Sequence, residues 1–412
     1  MTTTKRPDKI AQKVFVTAWV LGMLFYALEY AVRSAPSVMI SQLENILSTP
    51  TASVSGLIGA YYITYSFTSL LAGLVIDRAG AKKPLIAGII ILAIGCALFA
   101  TGNIYLAYTG RLLQGMGSAI AFPACVYLAV RAFSPKHLAT AIGATQSLGM
   151  LGGSAGQFVA APLLKNGLGL GTFWLIMGAL AIVIGFFVFT STPKEKIPVN
   201  VSGNKQGWLA PYKIVFTNPQ SYLCGVISGL LFAPTTVFAM TWGVAFLQAD
   251  RGLTYADAAI ACAIVPIGWA IGCPLMGWLS DKLQRRNTVL AGGALLMALS
   301  FLQLVFLPEM VPVYVSTAVM GIASGVAMLP YATIKEVNPD TVKGSATGAI
   351  NFIVFGVTSL LGPLFSYLYG NALHTTTDKA THFTGAVLFF VFGITLAVLL
   401  TALLRRTTVK LG

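Results

Sequence analysis

Three charged residues stand well inside long apolar runs of this chain, away from their ends: Glu29 and Arg33 in the first run and Arg111 in the fourth. In hydrocarbon such a group costs roughly 2.5–3.5 kcal/mol or more unless it faces protein or a watery cavity and finds a partner. Helical spacing puts Tyr26, Glu29, Tyr30 and Arg33 on one face, at i, i+3, i+4 and i+7. That face must look inward. Counted from the ends of their runs, Arg33 and Arg111 each lie about seven residues in, or roughly 10 Å, with Glu29 a turn deeper. The three can therefore meet. Two guanidinium groups against one carboxylate leave a positive charge over, which suits an anion. A carboxylate beside a guanidinium also takes up a proton more readily once that guanidinium is drawn elsewhere. The competing reading is a purely structural pair in which Glu29 and Arg33 neutralise each other.

The elements that must hold these groups follow from composition. Hydrophobic residues make up 56% of the 412 and charged residues 9%, far from the roughly 25% charge of a soluble domain. The expected class is an all-α polytopic membrane protein. Twelve runs could each cross the bilayer as a helix: 14–40, 52–76, 84–102, 104–131, 138–164 and 171–191, then 221–247, 255–280, 287–307, 311–334, 343–369 and 381–404. The net charge of +14 is not read as a nucleic-acid footprint, because the cations sit in short loops between apolar runs. Alternate loops hold Arg78, Lys82, Lys83, Arg131, Lys136, Lys282, Arg285, Arg286, Lys335 and Lys343, whereas the opposite set holds only Lys165, Arg251 and Lys379. That bias places the first set, and both termini, in the cytoplasm. The five cysteines fall inside apolar runs and the three histidines are scattered, so no metal or cofactor is expected. Neither a nucleophile–base pair nor a phosphate loop is visible, and an enzyme is not expected.

A repeat divides the chain. Gly73-Leu-Val-Ile-Asp77-Arg78-Ala-Gly80 returns 204 residues later as Gly277-Trp-Leu-Ser-Asp281-Lys282-Leu-Gln284. Gly143-Ala-Thr-Gln146 returns, 205 residues later, as Gly348-Ala-Ile-Asn351. Two landmarks with nearly one offset predict two six-helix bundles, 1–191 and 221–412, joined by a Pro- and Gly-rich cytoplasmic linker at 192–220. The hairpin resembles the cytoplasmic signature of the major facilitator superfamily of secondary transporters, with Ala81 where that family usually has a basic residue and Gln284 where it usually has Gly. Arg111-Leu-Leu-Gln114-Gly115-Met-Gly117 is similar to the family's fourth-helix signature. The resemblance implies alternating access, gating by Gly73, Asp77, Arg78, Gly80, Gly277, Asp281 and Lys282, and proton coupling through Glu29 with Arg111. Drug and proton antiporters of the family often end a glycine series in Gly-Pro on the fifth helix; here Gly143, Gly149, Gly152, Gly153 and Gly156 lead to Ala161-Pro162. That departure weakens an export reading.

The rest of a cavity wall is read from polar and aromatic residues interrupting apolar runs. With Tyr26, Tyr30, Arg33 and Arg111 these are Tyr61, Tyr65 and Gln146 in the first half and Thr235, Trp242, Trp269, Tyr331 and Asn351 in the second. For any single one, helix packing is an equally ordinary role. Pro234, Pro266 and Pro330 should bend or break helices nearby. The expected function is symport of a small anionic or zwitterionic metabolite with protons, by a monomer in a bacterial inner membrane. Proton-driven export of an amphipathic compound, or a non-transporting sensor or scramblase on the same fold, are the alternatives.

Overall fold

The computed structural model describes residues 9–193, 209–339, 342–375 and 379–404; among them there are helices and turns and no strand. Helix α1 (Lys9–Ser34) runs into a 3-10 turn at Ala35–Val38 and a short α2 (Ile40–Leu47). Then come α3 (Thr51–Ala79), α4 (Lys82–Phe99), α5 (Ile104–Ser118) and α6 (Ala121–Ala132) along one path, α7 (Pro135–Lys165) and α8 (Leu170–Ser191). The expected linker contains α9 (Ala210–Thr217); its residues 194–208 lie outside the described set. The second half has α10 (Pro219–Ala233), a π-helical stretch at Pro234–Trp242 and α11 (Gly243–Arg251) in one path. It continues with α12 (Tyr255–Leu283), α13 (Arg286–Phe306), α14 (Val313–Ser324), a 3-10 turn at Gly325–Met328, α15 (Leu329–Glu336), α16 (Lys343–Thr375) and α17 (Lys379–Thr401).

Ten of these paths, among the described residues, are long and apolar enough to cross a membrane. Helices α7 and α17 occupy the fifth and twelfth runs of the sequence. In α7 the Gly, Ser and Gln content lowers the apolar character because the helix is built for contact: a Cβ on Gly152 or Gly156 would collide with the carbonyls of Ala27 or Ala31. The glycine series is thus a close-packing seam between α1 and α7. It brings Tyr26 and Tyr30 against Gln146.

The repeat is carried into the backbone. Helices α3 and α12 are both 29 residues long and begin 204 positions apart, at Thr51 and Tyr255, and α4 and α13 begin at Lys82 and Arg286, again 204 apart. Between them Gly80 (φ 70°) and Gln284 (φ 55°) both take positive φ. Gln284 meets this requirement without being glycine, its Nε2 donating to the Asp281 carbonyl at 2.7 Å.

The halves meet through α3 against α16 and α7 against α12. Towards the end bearing the basic hairpins, Ser66 Oγ donates to the Phe352 carbonyl at 2.7 Å, and the Tyr212 hydroxyl donates to the carbonyl of Leu70. Towards the opposite end, Ser154 Oγ donates to the Ala263 carbonyl at 2.7 Å, Gln157 Nε2 donates to Ala239 O at 2.7 Å, and the Tyr255 hydroxyl donates to Val38 O. The seam is closed on both sides of the middle.

Candidate functional site

Glu29 and Arg33 are fully buried on the inward face of α1. Arg33 Nη2 donates to Glu29 Oε1 at 3.2 Å and Oε2 at 3.0 Å, as i, i+4 spacing on a helix allows. The Tyr61 hydroxyl from α3 donates to Glu29 Oε2 at 2.7 Å and accepts from Arg33 Nε at 3.3 Å. Arg33 Nη1 is buried with no hydrogen-bond partner among the described residues. Around the guanidinium stand the rings of Tyr30 (4.1 Å), Tyr65 (4.5 Å), Phe355 (5.2 Å) and Tyr61 (5.3 Å). Each such contact offsets the desolvation of the cation by roughly 0.5–2 kcal/mol. Three rings belong to the first half, and Phe355 comes from α16 of the second.

Arg111 does different work. Its Nη1 donates to Val32 O at 3.0 Å and to Gln114 Oε1 at 2.8 Å, and its Nη2 to Arg33 O at 3.1 Å. The reason lies in Pro36, which has no N–H and so leaves Val32 O without its helical donor. A guanidinium at this carbonyl end both satisfies it and complements the helix dipole. No hydrogen bond joins Arg111 to Glu29 among the described residues. The expected Glu29–Arg111 pairing is therefore replaced, in this conformation, by Glu29–Arg33, with Arg111 gripping the backbone from which Arg33 projects.

Beside the aromatic cage lies a cavity of about 20 Å³ between the halves, room for about one water molecule. Tyr26, Tyr30, Tyr65 and Gln146 line it from the first half, and Tyr331 and Asn351 from the second. The polar groups are arranged alike on the two sides: Tyr26 Oη donates to Gln146 Oε1 at 3.0 Å, and Tyr331 Oη to Asn351 Oδ1 at 2.6 Å. Both amides are the repeat positions found in the sequence. Trp269 stands one layer back, its ring 5.1 Å from that of Phe232. Thr235, in the π-helical stretch, is buried outside the cavity lining, and Trp242 packs on Phe365 at 5.6 Å.

Phe122, Phe232, Met328 and Phe355 also line the cavity. All four are apolar, and in an apolar run a Phe or Met does not stand out from its neighbours as a cavity residue. A signal was present, however: Phe122 precedes Pro123 directly, and Phe232 and Met328 each stand two residues before Pro234 and Pro330. Prolines at mid-membrane depth mark where helices open or change pitch, and such places line cavities. Pro234 indeed starts the π-helical stretch and Pro330 follows a 3-10 turn, while α12 continues through Pro266.

The two hairpins can be compared only in part, because the side chain of Asp77 lies outside those described. Asp281 is exposed and sits 3.6 Å from Arg286 Nη2, which also bonds Glu336 Oε1 at 2.7 Å. These contacts tie α12, α13 and α15 together within one half, and among the described residues no ion pair of Asp281 crosses the seam. Lys282 Nζ lies over the Trp278 ring at 4.9 Å. Arg78 is exposed, and Gly73 and Gly277 have open space where a Cβ would point.

With this geometry in hand, similarity to known proteins gives the class. Residues 22–363 match the model of the Major Facilitator Superfamily, and the chain belongs to that superfamily of integral membrane transporters. It is 22% identical over 90% of its length to the probable galactarate/D-glucarate transporter GudP of Escherichia coli K12, covering 89% of that protein. It is 24% identical over 85% of its length to the membrane sensor protein UhpC of E. coli K12, covering 84%. With the methylenomycin A resistance protein of Bacillus subtilis 168 it shares 26% identity over 46% of its length, spanning 41% of that relative. Its fold matches the crystal structure of a bacterial homologue of the human lysosomal transporter Spinster, inward-facing and unoccupied, with a TM-score of 0.76 at 16% identity, over 96% of this chain and 98% of that one. Membership of a transporter family agrees with the expectation that the chain is not an enzyme.

Proposed function

We propose that the protein imports a small organic anion or zwitterion together with protons, as a monomer in a bacterial inner membrane with both termini in the cytoplasm. The observation that carries the reading is Arg33: a buried guanidinium with Nη1 unpartnered, caged by rings of both halves beside the central cavity. An anionic group on Nη1 would compete with the Glu29 carboxylate for the same cation. A proton on Glu29 and an anion on Arg33 then promote each other, and the linkage is reciprocal. Arg111 serves this site by holding the carbonyls of Val32 and Arg33. The cavity is too small for a metabolite, so admission requires the halves, 1–191 and 221–412, to rock apart about the α3–α16 and α7–α12 contacts, with 192–220 as the tether. Similarity to a sugar-acid transporter along most of the chain supports an acidic substrate.

Labelled D-glucarate and a set of unlabelled carboxylates, amino acids and neutral polyols, applied to proteoliposomes with and without a proton gradient, test this reading. Gradient-driven uptake of the label or of a competing acid is expected. Neutral polyols competing as well as their acids would overturn the charge assignment. The similarity to UhpC favours one second reading, a sensor using the same site. Binding without either uptake or exchange would establish it.

A further inference from the structure

We propose that the groove between the start of α13 and the end of α17 binds an anionic phospholipid. The groove encloses about 890 Å³, with Arg285, Arg286 and Thr288 at its mouth and Gly292, Leu295 and Val398 along its floor. Its two ends have different chemistry. At the mouth, α13 starts at Arg286 with no side chain capping its first amides, so donors and the positive end of the helix dipole face the same place as the two arginines. Arg286 already bonds Glu336, yet its Nε is buried without a hydrogen-bond partner among the described residues. Further along, Leu295 is exposed on the membrane-spanning part of α13, and a Cβ added to Gly292 meets nothing within 4 Å. A phosphate at the mouth and an acyl chain along the floor fill both parts.

Charge decides the occupant. A second basic segment seated here would add cations to a groove whose mouth already has two arginines. A phosphate instead neutralises Arg285 and competes with Glu336 and Asp281 for Arg286. This end also carries the basic hairpins, which the charge bias assigns to the cytoplasm, the leaflet richest in anionic lipid. Because Arg286 joins α13 to Asp281 and Glu336, a bound headgroup would share the cation that ties this hairpin to α15.

Native mass spectrometry of the full chain titrated with dioleoylphosphatidylglycerol or dioleoylphosphatidylcholine tests the site. Wild type should retain phosphatidylglycerol in preference. Gly292→Trp fills the floor where there is free space and should abolish the preferred binding, while Arg285→Gln should weaken it about fivefold, as expected for one basic group at a membrane surface. Melting temperatures of both variants in lipid-free detergent should stay at the wild-type value, which separates lost binding from lost fold. Equal retention of the two lipids by wild type would overturn the proposal, and so would unchanged phosphatidylglycerol binding in Gly292→Trp.

Discussion

Phe355 of the second half lies 5.2 Å from the guanidinium of Arg33 in the first, so the cage around the central cation is complete only while the halves are together. The same ring touches Tyr65 at 4.5 Å and Phe232 at 5.7 Å. Opening the seam would remove one wall of the cage and expose Arg33 to solvent and to an incoming anion. The site and the joint between the halves are one structure.

The two arginines should separate in mutagenesis. Arg33→Lys keeps the charge and loses the planar fork, and it should reduce carboxylate affinity by about tenfold or more, since the group that faces the cavity has changed. Arg111→Lys should act mainly on stability, by about 1–3 kcal/mol, because the carbonyls of Val32 and Arg33 lose their donors. Ligand titration and melting temperature on both variants check this. A larger affinity loss in Arg111→Lys, at unchanged stability, would reverse the assignment.

Glu29→Gln should leave Arg33 as an uncompensated buried cation and cost on the order of 3–5 kcal/mol in the absence of an anion. A saturating anionic ligand should restore part of it, about 2.7 kcal/mol at a hundred times Kd. Exchange of substrate should continue with little dependence on pH, and accumulation driven by a proton gradient should stop. Uphill accumulation by a folded Glu29→Gln protein would exclude Glu29 as the only proton carrier.

Gly80 and Gln284 sit at corresponding turns with positive φ, Gly80 at ψ 175° where only glycine is at ease and Gln284 at ψ 27° in the left-handed helical region, and they should respond with opposite signs. Gly80→Ala puts a Cβ at φ 70° and ψ 175° and should destabilise by about 1–3 kcal/mol. Gln284→Gly relieves the strain at φ 55° but loses an exposed hydrogen bond to the Asp281 carbonyl, so it should be neutral or raise stability by up to about 1 kcal/mol. Thermal unfolding in detergent gives both numbers, and a Gln284→Gly loss larger than that of Gly80→Ala would refute the common role.

Gly115 is where α5 lies against α3. A Cβ there would overlap the carbonyl of Tyr61 and the hydroxyl of Thr64, whereas one on Gly73 meets nothing. Gly115→Ala should therefore cost about 1–3 kcal/mol as an overpacking change, and it should also weaken ligand binding, since Tyr61 bonds Glu29. Gly73→Ala should leave unfolding at the wild-type temperature. Melting curves that place the two variants together would show that α5 yields without strain.

Membrane character, the internal repeat and the inward face of α1 were determined by sequence alone, because each is a property of composition or of spacing along one helix. Glu29 and Arg33 are four residues apart, and α-helical pitch brings them together whatever the rest of the chain does. The common places of Gln146 and Asn351 were likewise legible, since a duplicated bundle puts repeat positions at equivalent depth. Tertiary structure alone decided which partner Arg111 takes. Its helix reaches α1 at an angle that spacing does not record, and among the acceptors it meets is the Val32 carbonyl bared by Pro36. Phe122, Phe232 and Met328 entered the site for the same reason: an apolar side chain faces a cavity or a neighbour according to how helices cross and where prolines open them, which only the packed bundle settles.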